Sequence, residues 1–172
     1  MNHWFYYVII KWVIDMGFDE LLKELDENLI VNKVEKSGGT LYIYCDIDHT
    51  VAKCKYCGME SSSVHSRYTR TVSDLPIQEY QVKLIITVPK YFCINEKCHH
   101  KTFAYILPFA EGNSLRTKRL DAHIYEMGIR NSSLETKKQL SKSHISVSNS
   151  TVLRLIKKKQ NPSSTTGRKI YL

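Results

Sequence analysis

Four of the five cysteines in this 172-residue chain lie in two close pairs, and their spacing suits metal binding. Two residues separate Cys54 from Cys57, which Gly58 follows, and four residues separate Cys93 from Cys98. Zinc prefers four soft ligands in a tetrahedron, and a two-residue spacing lets one turn present two thiolates at about 2.3 Å from the ion. We therefore predict a Zn²⁺ site made by these four thiolates. A closed four-thiolate shell has no open position for water, so the metal is expected to be structural.

The cysteine pairs also allow other chemistry. Disulfides, unligated buried thiols and a redox-active Cys-x-x-Cys motif are the alternatives, although no βαβ pattern surrounds the first pair. His65, His99 and His100 are substitute ligands, but four thiolates already complete a tetrahedral shell. Cys45 lies in a strand pattern and is predicted to be a buried core thiol.

The N-terminal segment is apolar but does not have the pattern of a membrane anchor or a signal peptide. The run Trp4–Ile10 is far shorter than the roughly 20 residues that span a bilayer. No Lys or Arg precedes this run, and no small-residue cleavage site follows it. We expect a cytoplasmic protein in which disulfides are rare. Met16 is an alternative start, which would make residues 1–15 an extension.

The positive charge of the chain is concentrated in one segment. Of the formal net charge of +8, residues 114–160 contribute eleven Lys and Arg against three acidic residues, whereas residues 1–113 carry twelve against fourteen. A basic segment joined to a near-neutral remainder is typical of proteins that bind the phosphate backbone of nucleic acids. A solvated, lysine-rich surface is the alternative interpretation.

Strand patterns flank the cysteine pairs and predict the elements that position them. An amphipathic helix is expected from Phe18 to about Val31. Tyr80–Val88 alternates apolar and polar residues with the period of two that a half-buried strand shows. The other predicted strands are residues 40–45, 64–72 and 102–107, the second ended by Asp74-Leu75-Pro76.

Residues 113–160 have a helical pattern with recognisable capping residues. The predicted helices are residues 114–127, 133–142 and 149–159. Gly128 is expected to end the first helix, whereas Ser132 and Ser148 are expected to cap the N-termini of the second and third. Two helices joined by a short turn are typical of a helix-turn-helix unit.

The last predicted helix has two chemically different faces. Val152, Leu155 and Ile156 share an apolar face, and basic and hydroxyl residues lie opposite. The N-terminal residues of a recognition helix approach base edges, whereas lysines further along meet phosphates. The candidate DNA-binding residues are Arg116, Lys118, Arg119, Asn149, Ser150, Thr151, Arg154, Lys157 and Lys158. The alternative is a basic amphipathic helix that docks on another protein.

These patterns predict an α+β fold with two functional parts. A small antiparallel β zinc-ribbon-like domain is followed by an α-helical helix-turn-helix segment. The expected divisions are residues 1–39 as an N-terminal extension with a short helix, 40–112 as the zinc-ribbon-like domain, 113–160 as the helix-turn-helix segment and 161–172 as a linker or truncated tail.

The order of the motifs resembles the N-terminal part of the ISL-three type of insertion-sequence transposases. The resemblance covers roughly residues 40–160. The residues similar to that family's zinc-finger region are Cys54-x-x-Cys57-Gly58, Val64-His65-Ser66-Arg67-Tyr68-x-Arg70, Asp74-Leu75-Pro76, Tyr91-Phe92-Cys93, Cys98 and Lys101-Thr102-Phe103. The segments similar to its helix-turn-helix are residues 115–120 and 147–154. The resemblance implies a bacterial protein whose four paired cysteines bind zinc and whose helices bind double-stranded DNA at terminal inverted repeats, with a homodimer as one form of assembly.

The chain departs from that family in one respect. A ribonuclease-H-like domain with an Asp-Asp-Glu metal triad follows in the family, and this chain stops where that domain would begin. No carboxylate cluster in the sequence is suited to the two magnesium ions of strand transfer. We therefore predict a truncated transposase that binds DNA and is not an enzyme on its own. A zinc-ribbon transcriptional regulator, such as a domesticated transposase remnant, and a zinc-stabilised protein-interaction module are the alternatives.

Overall fold

The computed structural model describes residues 20–161, so the expectations for residues 1–15 and for the tail after Asn161 lie outside the described residues. Mixed α and β structure is found, and the main sheet precedes a segment of three helices, as predicted. The strands are β1 (Leu29–Ser37), β2 (Thr40–Ile47), β3 (Ala52–Lys53), β4 (Glu60–Ser61), β5 (Val64–Ile77), β6 (Tyr80–Phe92) and β7 (Thr102–Ala104). The helices are α1 (Lys118–Arg130), α2 (Ser133–Lys142) and α3 (Asn149–Gln160). Within residues 20–161, the helices lack the length and apolar character that a membrane-spanning segment needs.

The main sheet has the order β1-β2-β6-β5, and β7 extends β6 beyond the end of β2. Gly38 and Gly39 join β1 to β2 with φ of 54° and 73°, the positive values that a two-residue hairpin turn requires. β5 and β6 form a second, longer hairpin. β2 and β6 pair in parallel because the chain passes through β3, β4 and β5 before it returns. The predicted antiparallel sheet is therefore mostly, but not wholly, antiparallel.

One face of this sheet forms the main hydrophobic core. The alternation predicted for β6 is confirmed, because every second residue from Val82 to Val88 is at most 2% exposed. Leu22, Leu107 and Phe109 cover that face from segments before and after the strands. Full burial of a side chain of this size contributes about 1.5–3 kcal/mol, so each buried residue on this face stabilises the sheet.

The region before the sheet differs from its predicted structure. Residues 20–23 are helical, but the expected helix does not continue to Val31, because β1 begins at Leu29 and pairs with β2. Asp26 is buried and accepts a hydrogen bond from the backbone N–H of Asn28 at 3.0 Å, which fixes a turn between helix and strand. Strand pairing and this turn outweigh the helical pattern of the sequence.

β5 continues past the point where the sequence predicted its end. The strand runs to Ile77, although Asp74-Leu75-Pro76 was expected to stop it near Val72. It lies at the edge of the main sheet, where proline is tolerated more readily than in a central strand. The pairing with β6 is irregular between Asp74 and Ile77, which accommodates Pro76.

The three helices pack around a core of their own. Its buried residues are Leu120, Ile124, Leu140, Ile145, Val152 and Leu155. The predicted caps are confirmed: the side chains of Ser132 and Ser148 accept from the backbone N–H of Glu135 and Thr151 at 3.3 and 3.2 Å. The prediction for Gly128 is wrong, because this residue lies inside α1. A Cβ there would lie 2.9 Å from Cγ1 of Val152, so glycine lets α1 and α3 approach closely.

The helical unit, residues 117–160, is attached to the sheet near the turn between β5 and β6. The backbone of Ser73 donates to the carbonyl of Leu115 at 2.8 Å and accepts from the N–H of Thr117 at 2.9 Å. The buried carboxylate of Asp74 accepts from the Thr117 hydroxyl at 2.7 Å and from Nε of Arg119 at 2.8 Å. The helices therefore dock at one end of the long hairpin, and the cysteine pairs lie at its other end.

Candidate metal centre

A short hairpin presents the first cysteine pair. β3 and β4 each contribute two residues, and the loop between them carries Cys54 and Cys57. The N–H of Cys54 donates to the carbonyl of Met59 at 2.8 Å, and the N–H of Gly58 donates back to the carbonyl of Cys54 at 2.8 Å. Gly58 has a φ of 78°, which glycine adopts without a steric penalty. These features turn both thiols toward the same side.

The loop between β6 and β7 presents the second pair. Cys93 follows β6 directly, and its N–H donates to the carbonyl of Lys101 at 2.8 Å. The N–H of Cys98 donates to the carbonyl of Asn95 at 3.0 Å, and Oδ1 of Asn95 accepts from the N–H of Lys97 at 3.0 Å. The four-residue spacing therefore forms a compact loop that carries both thiols.

The four thiols meet in one cluster. Their sulfur atoms all lie within 4.8 Å of one another, and Sγ of Cys57 is 3.5 Å from Sγ of Cys93. A tetrahedral zinc ion with Zn–S bonds of about 2.3 Å requires sulfur atoms about 3.8 Å apart. Cys54 and Cys98 are buried, whereas Cys57 is exposed. The donor set and its spacing therefore fit a closed zinc site.

The cluster also has the electrostatics of a site that requires a cation. The N–H of Met59 lowers the pKa of the Cys57 thiol to about 7. Burial raises the pKa of the neighbouring Cys93 thiol to about 12. Close thiolates repel one another and are costly to bury, so the four cannot all be ionised without compensating charge. A divalent zinc ion supplies that charge and keeps its thiol ligands deprotonated.

The histidines near the cluster make other contacts. Within the described part of the chain, the group that could hold a metal contains four cysteines and no histidine. The ring of His100 stacks on Tyr56 with centroids 3.4 Å apart, and His65 lies edge-on against Phe92 at 4.7 Å. Cys45 is buried in the main core, as predicted, and does not join the cluster.

A small apolar core supports the cluster from below, and its central residue, Tyr91, entered the sequence predictions only through the family resemblance. Tyr91 is fully buried with Ala52 and Phe103, and its hydroxyl donates to the carbonyl of His49 at 2.5 Å. The position of Tyr91, two residues before Cys93 on the same face of the strand pattern, was the sequence signal for its role beneath the cluster. Both cysteine loops thus rest on the end of the main sheet.

Three of the candidate DNA-binding residues have partners inside the chain. Nε of Arg116 lies 2.5 Å from Oδ1 of Asp121, and Arg119 binds Asp74 through two nitrogens. Lys158 forms an ion pair with Glu111. The structure therefore gives these three side chains a role in holding the helices in place.

All but one of the other candidates lie on α3. Ser150, Arg154 and Lys157 are exposed, together with Leu153, which is 47% exposed. Lys118 is exposed on α1. The remaining two candidates, Asn149 and Thr151, are half-buried at the start of α3. Of these, the Thr151 hydroxyl lies 3.0 Å from Oγ of the cap Ser148, and Oδ1 of Asn149 is buried without a hydrogen-bond partner.

Comparison with known proteins links the segment around the cluster to transposases. Residues 50–98 match the family described as the zinc-finger of transposase IS204/IS1001/IS1096/IS1165. The chain is also similar to the transposase for insertion sequence element IS1001 of Bordetella parapertussis, with 39% identity over 64 residues. That match covers 37% of this chain and only 15% of the relative. No solved structure matches the chain.

The matched family and the cluster geometry agree on the nature of the site. The matched segment, residues 50–98, contains all four clustered cysteines. The cofactor is therefore structural Zn²⁺, as the sequence predicted. The resemblance to the ISL-three type transposases is thereby confirmed for the N-terminal zinc-finger region.

Proposed function

We propose that this chain binds double-stranded DNA in a sequence-specific manner, as the part of a transposase that recognises the terminal inverted repeats of a mobile element. Cys54, Cys57, Cys93 and Cys98 are the zinc ligands in this proposal, and the chain performs no chemical step itself. The observation that carries it is the exposed basic face of α3, on a helical unit joined to a transposase-type zinc finger.

In this proposal the helical unit acts as a helix-turn-helix. α2 and α3 are joined by residues 143–148, where His144 takes a φ of 58°, and both helices pack on α1 through the shared core. In such units the second helix enters the major groove, and its N-terminal residues contact base edges. Ser150 and Arg154 then face bases, and Lys157 faces a phosphate one turn later.

Basic residues near α1 form ion pairs within the chain, which favours α3 over α1 as the main DNA contact. Arg116 and Arg119 are ion-paired at the junction with the sheet, and breaking those pairs would weaken the docking of the helices. Arg154 and Lys157 are exposed and have no such structural role in the proposal. They can therefore bind DNA without a cost to the fold.

The double variant Arg154→Gln/Lys157→Gln tests this surface. An arginine on a base edge is worth about 1–3 kcal/mol, and each lost phosphate contact lowers the slope of log K against log salt by about one. We expect affinity for a selected duplex to fall about 10- to 100-fold and the salt slope to fall by about one. Fluorescence anisotropy over a salt series, with a duplex selected from a random pool, measures both quantities.

The matched control is Lys33→Gln/Lys36→Gln on β1, which removes the same charge from a different surface. This control is expected to bind like the wild type. Equal losses of affinity in both variants would show that binding depends only on net charge, which would contradict recognition by α3. Binding that ignores salt, or selected sites found at host promoters and not at inverted repeats, would oppose the transposase role.

A further inference from the structure

We propose that the cysteine-bearing end of the molecule is a second DNA-contact surface, which binds phosphates of the same duplex about one helical turn away from α3. This surface is called the zinc end and comprises residues 50–68 and 89–104. The proposal rests on the proposed function, because it adds a second contact to the same complex.

The distribution of charge in the folded chain supports a second contact. The zinc end contains six Lys and Arg against two acidic residues. The remainder of the sheet region, residues 20–49 and 69–88, contains five against nine. A zinc ion with four thiolates carries a net charge of −2, which leaves the zinc end positive. The zinc end therefore carries net positive charge in addition to that of the helical unit, as suits a rigid polyanion touched at two points.

The basic side chains of the zinc end are accessible. Lys55 and Lys97 are exposed, one on each cysteine loop, and Lys101 and Arg67 are exposed beside them. Lys53 lies 3.4 Å from Glu60, but both side chains are more than 60% exposed, so solvent screens this pair and a phosphate can replace the glutamate. The stacked rings of Tyr56 and His100 tie the two cysteine loops together. The lysines therefore extend from two loops that are held together by this stack.

The length of the β5–β6 hairpin sets the spacing of the two contacts. The ladder pairs Val64 with Tyr91 at the zinc end and Asp74 with Val82 at the helical end. Ten residues of strand span about 33 Å, and one turn of B-DNA rises about 34–36 Å. The turn before α3, residues 144–146, lines a cavity together with Val82, so the N-terminus of α3 lies at that end of the hairpin. This spacing matches one turn of a duplex, as the proposal requires.

The connection between the two ends is stiff. The connector after β7 returns along the sheet and is pinned at several points. The N–H of Tyr105 donates to the carbonyl of Pro89 at 2.9 Å, and Arg70 donates to the carbonyl of Ser114 at 2.8 Å. The N–H of Lys118 then donates to the carbonyl of Phe109 at 2.7 Å. A fixed spacing reduces the entropy cost of making both contacts at once.

Duplex length separates the two contacts experimentally. A hairpin duplex of about 8 base pairs, at 3.4 Å per pair, is too short to reach both surfaces, whereas one of about 24 base pairs reaches both. The variant Lys55→Gln/Lys97→Gln is compared with the wild type and with Lys33→Gln/Lys36→Gln on both duplexes. Zinc content is measured for each protein, to show that the cysteine loops are intact.

On the long duplex, the zinc-end variant is expected to lose about tenfold in affinity and about two units of salt slope, since each phosphate contact contributes about 0.9. On the short duplex the zinc-end variant is expected to have the affinity and salt slope of the wild type. The β1 control is expected to change neither the affinity nor the salt slope on either duplex. Losses that are equal on both duplexes, or absent on the long one, would overturn the second contact alone. Failure of the wild type to bind either duplex would instead overturn the proposed function.

Discussion

Chelation of zinc is expected to open the zinc end and to leave the helical unit folded. Apart from the metal, the two cysteine loops are held by the two-residue pairing of β3 with β4, by the stack of Tyr56 on His100 and by a small core. Zinc contributes about 10–16 kcal/mol of apparent binding free energy in zinc-finger peptides, so its loss removes the main stabilising interaction here. The helices pack around a separate core and dock at the far end of the hairpin. Amide hydrogen exchange with and without chelator measures the opening of each region.

The expected exchange pattern is local. Residues 50–62 and 93–101 should lose protection by several orders of magnitude, and α1 to α3 should keep theirs. Cys98→Ala should reproduce the effect of chelation, whereas Cys45→Ala is the matched control that removes a buried thiol outside the cluster. Loss of protection throughout the chain would contradict the separation of the two cores. Unchanged protection in both loops would contradict a structural metal.

Asp74→Ala is expected to destabilise the attachment of the helices by about 2–3 kcal/mol, because it leaves hydrogen-bond donors without their buried acceptor. The side chain of Asp74 is 1% exposed and binds Arg119, whose side chain is 40% exposed and partly regains water in the variant. Asp74 also holds the hydroxyl of Thr117, which caps α1 by accepting from the N–H of Leu120 at 3.2 Å. Loss of the carboxylate therefore disturbs a helix cap as well as an ion pair.

Urea unfolding followed by circular dichroism checks this expectation. Asp48→Ala is the control, since Asp48 is exposed and its removal changes the net charge equally. The control is expected to stay within about 0.5 kcal/mol of the wild type, as most surface substitutions do. If both variants unfold at the same urea concentration, Asp74 does not anchor the helical unit.

The sequence predictions were most accurate for residue patterns that occur in a single type of local structure. The cysteine spacing predicted the cluster, and the serines before α2 and α3 predicted both caps, because zinc coordination and helix capping each depend on a few neighbouring atoms. The alternation in β6 predicted its buried face for the same reason, since a strand has a strict period of two. These features are local, so a short window of sequence contains them.

The errors concern features that depend on distant partners. The first residues of β1, 29–31, were assigned to a helix because their pairing with β2 is not visible in the local sequence. Gly128 was read as a helix end, but its role is to admit Val152 from another helix. The parallel pairing of β2 with β6 follows from the path of the chain and has no local signature.

The same limit applies to the candidate DNA-binding residues. Charge alone placed Arg116, Arg119 and Lys158 with the other candidates, whereas the structure shows that acidic residues distant in sequence bind two of them. Asp74 and Glu111 lie 45 and 47 positions away from their partners. Only the fold distinguishes basic residues that hold the helices from those that remain exposed.

The central claim is that the four clustered cysteines bind one zinc ion, and X-ray absorption at the zinc edge tests it most directly. Together with elemental analysis of the purified chain, it should show one zinc per chain, bound by four sulfur atoms at about 2.3 Å. Absence of zinc, or a shell that contains histidine nitrogen in place of sulfur, would contradict the account.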